Sequence, residues 1–113
     1  MHRLVVMYPQ PKDPDHFRQH YETVHYRLGL EVPKVRNLHY AFDVKGIPGD
    51  DGAGGDSDLG LYCVFMADWD SEADMMEALL ATPQGQAVLE DVPNYATGGS
   101  FRFHYDLPDP EST

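Results

Sequence analysis

Apolar positions along the chain change period several times, and each change marks an element. RLVVMY (3–8) is a continuous β-branched and aromatic run that predicts a first strand, closed by PQPKDP, whose prolines cannot donate to a ladder. From Phe17 the apolar spacing becomes 4, 3 and 4 through Tyr21, Val24 and Leu28, the stripe of an amphipathic helix. Asp13 is its N-cap, Pro14 suits the first helical position, Asp15 sits at the positive end of the dipole, and Gly29 or Pro33 stops it.

VRNLHYAFDVK (35–45) then alternates, with Leu38, Tyr40, Phe42 and Val44 opposite Val35, Asn37, His39, Ala41 and Asp43, which predicts a second strand. The Gly/Asp-rich segment 46–58 reads as a mobile loop. It lacks the alternating acids and the closing glutamate of a calcium loop. LGLYCVFMADW (59–69) predicts a third strand with Leu61, Cys63 and Phe65 on one face and Tyr62, Val64 and Met66 on the other, so both faces need cover. Ser71 and Asp74 open a second helix carrying Met75, Met76, Leu79 and Leu80, and Thr82-Pro83 restarts a shorter one with Val88 and Leu89 inward, ending before Pro93. After a turn at Gly98-Gly99, SFRFHYDL (100–107) predicts a last strand with Phe101, Phe103 and Tyr105 on one face, and 108–113 is a polar tail.

The order β-α-β-β-α-β predicts an α+β, ferredoxin-like fold: one domain over residues 1–107, its four-stranded antiparallel sheet carrying both helices on one face. The other sheet face, about 350 Å² of flat area, approaches the largest apolar patches of soluble monomers and predicts a face-to-face homodimer. Length and composition agree with one soluble domain: 113 residues, 42% hydrophobic and 24% charged. Charge narrows the partners. A formal net charge of −11 repels phosphate backbones and anionic lipid, so neither nucleic acid nor membrane is expected to bind. Cys63 has no cysteine to pair with and reads as a buried thiol. The first apolar run, Leu4 to Tyr8, is too short for a signal core or a membrane span, so a cytoplasmic location is expected.

Candidate chemistry concentrates in FRQHYETVH (17–25). At about 100° per residue, Tyr21 and His25 lie about 40° apart on a helix while His20 lies about 140° from His25, so the three are not expected to converge. His16 and His20 have the spacing of helical zinc ligands, but no HExxH glutamate or Cys/His cluster completes a site, and no metal is expected. His25 borders the helix stripe and is the candidate acid–base catalyst, with Tyr21 one turn away to share a polar ligand. The plainer reading is a histidine at the core margin bonded to a backbone carbonyl. His20, Tyr40, Tyr62 and Trp69 are candidate lining residues. Asp91 and Asn94 are candidates too, although Asx side chains at such a helix end commonly serve the local turn. No P-loop, dinucleotide fingerprint or nucleophile elbow is present, and no cofactor is expected.

Two stretches resemble the EthD family, named for its association with bacterial ethyl tert-butyl ether degradation. YPQPKDPDHFRQHYETVH (8–25) is similar to the family's YPxPxDPxxFxxHYxxxH opening, and ATPQGQAVLEDVPNYATGG (81–99) to its SPEGQ…D…NFATGG ending. Departures are Arg27 and Pro33-Lys34-Val35 where the family carries a proline and a PGL turn, and a longer Gly/Asp insertion. The resemblance implies a dimeric α+β barrel and places Tyr21, His25, Asp91, Asn94, Thr97 and Gly98 on recurrent family positions. Similar barrels include cofactor-free monooxygenases, isomerases, cyclases, decarboxylases and haem-binding oxidases, so the resemblance implies no single reaction. The readings that follow are a cofactor-independent enzyme acting on a small aromatic or oxygenated organic compound in a catabolic pathway, a non-catalytic ligand-binding or accessory module for a partner oxygenase, and, third, a haem binder.

Overall fold

Strand β1 (His2–Pro9) sends Leu4, Val6 and Tyr8 toward the helices and Arg3, Val5 and Met7 to the opposite face, and the rest of the sheet follows from its partners. The computed structural model describes residues 1–47 and 59–108. Within them β2 (Arg36–Phe42), β3 (Leu61–Trp69) and β4 (Phe101–Asp106) join β1 in an antiparallel sheet of order β2-β3-β1-β4. This is the ferredoxin-like arrangement. Most of the expected 46–58 loop and of the 108–113 tail lies outside the described residues.

Two bulges set which side chains meet the helices. Tyr8 pairs with Cys63 and Pro9 with Leu61, so Tyr62 is the extra residue on β3. It does not share a face with Val64 and Met66, as strict alternation predicts; it turns toward the helices, where its ring meets Phe17 edge-on at 5.1 Å and its hydroxyl donates to the Pro14 carbonyl at 2.9 Å. On β2, Asn37 takes a left-handed φ of 54° between the pairs Arg36↔Asp68 and His39↔Met66. Its amide donates to Asp68 at 2.8 Å, beside the two-pronged Arg3–Asp68 pair at 2.8 and 2.9 Å.

The first helical arm begins at α1 (Pro14–His20), where Asp13 accepts from the His16 amide at 3.1 Å, passes through a π-helical turn (Tyr21–His25), and ends as α2 (Tyr26–Leu30). The stripe expected through Val24 and Leu28 is displaced by this turn. The buried positions run Phe17, Tyr21, His25 and Gly29, while Val24 is 39% exposed. Helix α3 (Glu72–Leu80) is capped by Ser71 and α4 (Pro83–Asp91) by Thr82, followed by a 3₁₀ turn, Val92–Asn94.

The core has two lobes. One is aromatic, built from Tyr8, Phe17, Tyr21 and Tyr95 with Cys63, whose buried thiol is pushed up to about 12 chiefly by desolvation. The other packs Val32, Ala67, Trp69, Met75 and Ala78. Strand β4 is exposed throughout, and Phe101, Phe103 and Tyr105 stand on the helix-free face at 61, 41 and 41% exposure.

Candidate functional site

The site begins with the helix defect. In the π-turn the Tyr26 amide bonds to the Tyr21 carbonyl, an i→i+5 closure that spends one more residue per turn than an α-helix. Positions five apart therefore come to the same side. His20 and His25, expected about 140° apart on a regular helix, instead converge on one carboxylate. His20 Nε2 donates to Asp91 Oδ1 at 2.8 Å and His25 Nδ1 to Asp91 Oδ2 at 2.9 Å, while the Asn94 amide adds a third bond to Oδ1 at 3.0 Å.

Asp91 closes α4, so this carboxylate ties the end of the second helical layer to the first arm across 66 and 71 residues of sequence. Burial pushes its carboxyl up, but the bonds from Asn94, His20 and His25 outweigh that and hold it below the usual aspartate range. An ionised carboxylate only accepts, so both imidazoles present an N–H to it. For His25, 5% exposed, desolvation lowers the imidazole from its ordinary value against the opposing pull of Asp91. A neutral His25 donating through Nδ1 keeps its lone pair on Nε2, the tautomer that an Asp–His pair selects in acid–base sites.

His25 borders a cavity of about 180 Å³ between the helices and the sheet. Its walls are apolar, with Leu4, Val6, Phe65, Trp69, Met75 and Val88 among them, and its polar edge comes from His25, Tyr8, Arg102 and His104. Tyr8 turns its hydroxyl to Tyr95 at 2.8 Å, and burial pushes it up to about 12. The Tyr95 ring lies 4.6 Å from that of His25 and stacks on His20 at 5.8 Å, pinning both imidazoles from one side.

The residues singled out in the sequence divide into three groups. His25 and Trp69 line the cavity, Trp69 fixed by its indole N–H on the Pro33 carbonyl at 3.0 Å. His20, Asp91 and Asn94 form the polar support behind His25. Tyr21, Tyr40 and Tyr62 belong to the aromatic lobe and are not among the cavity-lining residues. Tyr21 is fully buried 5.2 Å from the His25 ring, its hydroxyl without a hydrogen-bond partner among the described residues; Tyr40 donates to Glu22 at 3.3 Å. Arg102 and His104 also line the cavity and are not among the sequence candidates, although their alternation with Phe101, Phe103 and Tyr105 already places them on the other face of β4.

Among the described residues, His2, Glu72 and His104 bring possible metal-ligand atoms within 4.8 Å of one another. His2 Nδ1 bonds to Asp106 Oδ1 at 2.6 Å, and His2 Nε2 and His104 Nδ1 share a hydrogen bond at 2.8 Å. The His16–His20 pair has ring centroids 5.8 Å apart, but His16 Nε2 donates to the Asn94 carbonyl at 3.2 Å and His20 Nε2 to Asp91. No helix among the described residues is long and apolar enough to cross a membrane.

Comparison with known proteins agrees with this architecture. An uncharacterized 11.0 kDa protein from the thcB-thcC intergenic region of Rhodococcus erythropolis is 29% identical over 99 residues, 88% of this chain and 87% of that protein. An EthD-family structure from Bacillus halodurans superposes with a TM-score of 0.78 at 22% identity, covering 96% of this chain and 99% of that one. The fold is shared with SnoaB, a cofactor-independent oxygenase from Streptomyces nogalater (TM-score 0.63, 12% identity, 96% and 93% coverage). A dimeric ferredoxin-like protein of unknown function from Thermobifida fusca has it as well (TM-score 0.63, 18% identity, 94% and 90% coverage). The EthD domain profile matches residues 9–99, from the end of β1 through the turn before β4, and the chain belongs to the EthD family.

Proposed function

We propose that this protein is a homodimeric, cofactor-independent enzyme that performs acid–base chemistry on a small, largely apolar aromatic or oxygenated organic compound, in keeping with a catabolic role. The observation that carries the reading is the buried His25–Asp91 pair at 2.9 Å whose imidazole borders an apolar cavity. Desolvation keeps His25 unprotonated near neutral pH, Asp91 holds the proton on Nδ1, and Nε2 is left to take a proton from an acidic C–H or O–H of the ligand. The imidazolium so formed faces the Asp91 carboxylate and can return the proton. His20 and Asn94 keep Asp91 ionised and oriented, and Tyr21 backs the His25 ring. The apolar walls position the carbon skeleton and keep water from the reacting atoms.

The dimer in this proposal forms through the helix-free sheet face, where Phe101, Phe103 and Tyr105 are exposed beside Met7 and over the buried Val5. A partner sheet packed on this face covers it and closes a barrel of two sheets.

A second reading, a binding or accessory module for a partner oxygenase, is favoured by one observation: among the described residues His25 is the only acid–base side chain on the helix side of the cavity, and no nucleophile accompanies it. The two readings separate on His25→Gln, which keeps a hydrogen-bonding amide in place of the imidazole. Screened against aromatic and oxygenated small molecules, the wild type turns a ligand over and the variant binds that ligand without converting it. Turnover retained by the variant removes the acid–base role. A ligand that raises Tm in both proteins and is recovered unchanged from both establishes the binding module.

A further inference from the structure

The sheet-edge side of the cavity is chemically distinct. Strand β4 is the edge of the sheet, and all six of its residues are exposed, so the helical layer ends short of it. In register, Arg102 lies opposite Val6 and His104 opposite Leu4, and all four line the cavity. Arg102 is therefore an exposed lining residue at the sheet edge, while His25 lies on the helical wall.

Among the described residues lining this cavity Arg102 carries the only permanent charge, and no aspartate or glutamate is among them. Among the described residues Arg3, Arg18 and Arg36 each meet a carboxylate, whereas the side chains of Arg27 and Arg102 make no hydrogen bond and no ion pair, and of these two only Arg102 lines the cavity. In a chain of net charge −11 the general field repels anions, so a binding anion needs a local cation. A guanidinium supplies it with paired N–H donors matched to a carboxylate. The cavity, about 180 Å³, is comparable to the roughly 150 Å³ apolar cavities that accept benzene.

We propose that the ligands of this site are small apolar molecules bearing a carboxylate, the hydrocarbon part filling the cavity and the carboxylate held by Arg102 at the exposed β4 edge. The proposal rests on the reading of this cavity as the ligand site. It also fixes polarity: the charged end stays at the β4 edge and the carbon skeleton extends toward His25, so the acid–base step falls on a carbon removed from the carboxylate.

Octanoate and octanol, matched in chain length, are the probes, and quenching of Trp69, the only tryptophan and a cavity-lining residue, reports occupancy. Octanoate is expected to bind wild type about tenfold tighter than octanol, with the preference shrinking as salt is added. Arg102→Ala removes the preference while octanol still quenches Trp69, which shows that the cavity remains accessible to ligand, and Arg102→Lys retains part of the preference. Equal binding of the two probes to wild type, or a preference undiminished in Arg102→Ala, overturns the carboxylate assignment alone. If neither probe perturbs Trp69 at saturating concentration, the cavity is not a ligand site and both readings fall.

Discussion

His20 and His25 stand five residues apart and hold opposite oxygens of the Asp91 carboxylate, at 2.8 and 2.9 Å. A regular α-helix cannot aim both at one group, because five residues advance it about 140° past a full turn. The π-turn supplies the missing geometry, and the carboxylate at the end of α4 stabilises the wider turn in exchange. Helix defect and polar cluster therefore depend on each other.

Removing the carboxylate should show this dependence. Asp91→Ala leaves two imidazoles and the Asn94 amide without their shared acceptor, one of those imidazoles buried, at a cost of about 1 to 3 kcal/mol. Urea denaturation measures it. Asp91→Asn, which keeps an acceptor oxygen but places an NH₂ against one imidazole, should cost less and still change the His25 tautomer, read from its ¹⁵N shifts. Unchanged ¹⁵N shifts in both variants would mean that Asp91 does not set the His25 tautomer.

Acid should weaken the fold through the same cluster. The His25 imidazole is lowered in the folded state, so below its unfolded value near 6.5 the unfolded chain binds more protons and stability falls with pH. Asp91 is held low as well, so its contribution, complete above its unfolded value near 3.8, is lost on further acidification. Between pH 7 and 5 the His25→Gln variant should show a shallower decline than wild type. Parallel curves would mean that His25 takes up its proton as readily folded as unfolded.

Tyr21 tests a different point. Its buried hydroxyl has no partner among the described residues, and such a group opposes folding until it finds one. Tyr21→Phe should leave stability unchanged or raise it by about 1 kcal/mol, with ligand binding intact. A loss of turnover in a stable Tyr21→Phe protein would instead give this phenol a part in handling the ligand.

The α3–α4 junction allows no added carbon at Gly85. A Cβ there would stand 2.1 Å from the Ala78 carbonyl oxygen and 2.5 Å from that of Leu79, both backbone atoms. Gly85→Ala should destabilise the fold by about 1 to 3 kcal/mol or more, seen as a lowered denaturation midpoint. Gly29→Ala meets only the tip of Leu38, at 3.2 Å, and should be milder while narrowing the cavity both residues line.

A charge on the open sheet face should separate the proposed dimer. Phe103→Glu places a carboxylate at the centre of the strand that presents Phe101 and Tyr105. Sedimentation at micromolar concentration should find a folded monomer for the variant and a dimer for wild type. A wild-type protein that sediments as a monomer removes the sheet-face interface.

The sequence by itself determined the element order, the caps at Asp13, Ser71 and Thr82, and the ferredoxin-like topology, because these follow from local periodicity and short-range hydrogen bonding that neighbouring residues decide among themselves. It also marked out His25, since a histidine one turn from a buried aromatic has few places to point. Only the tertiary structure decided that the first helix widens at Tyr21–His25, that Tyr62 turns inward at a bulge, and that Asp91 serves two histidines rather than its own turn alone. Each of these adds or redirects a single residue within a regular element, and the energy favouring it comes from partners far along the chain, which no local window contains. Arg102 belongs with them: alternation gives its face, but its place in the cavity wall depends on where the helices pack.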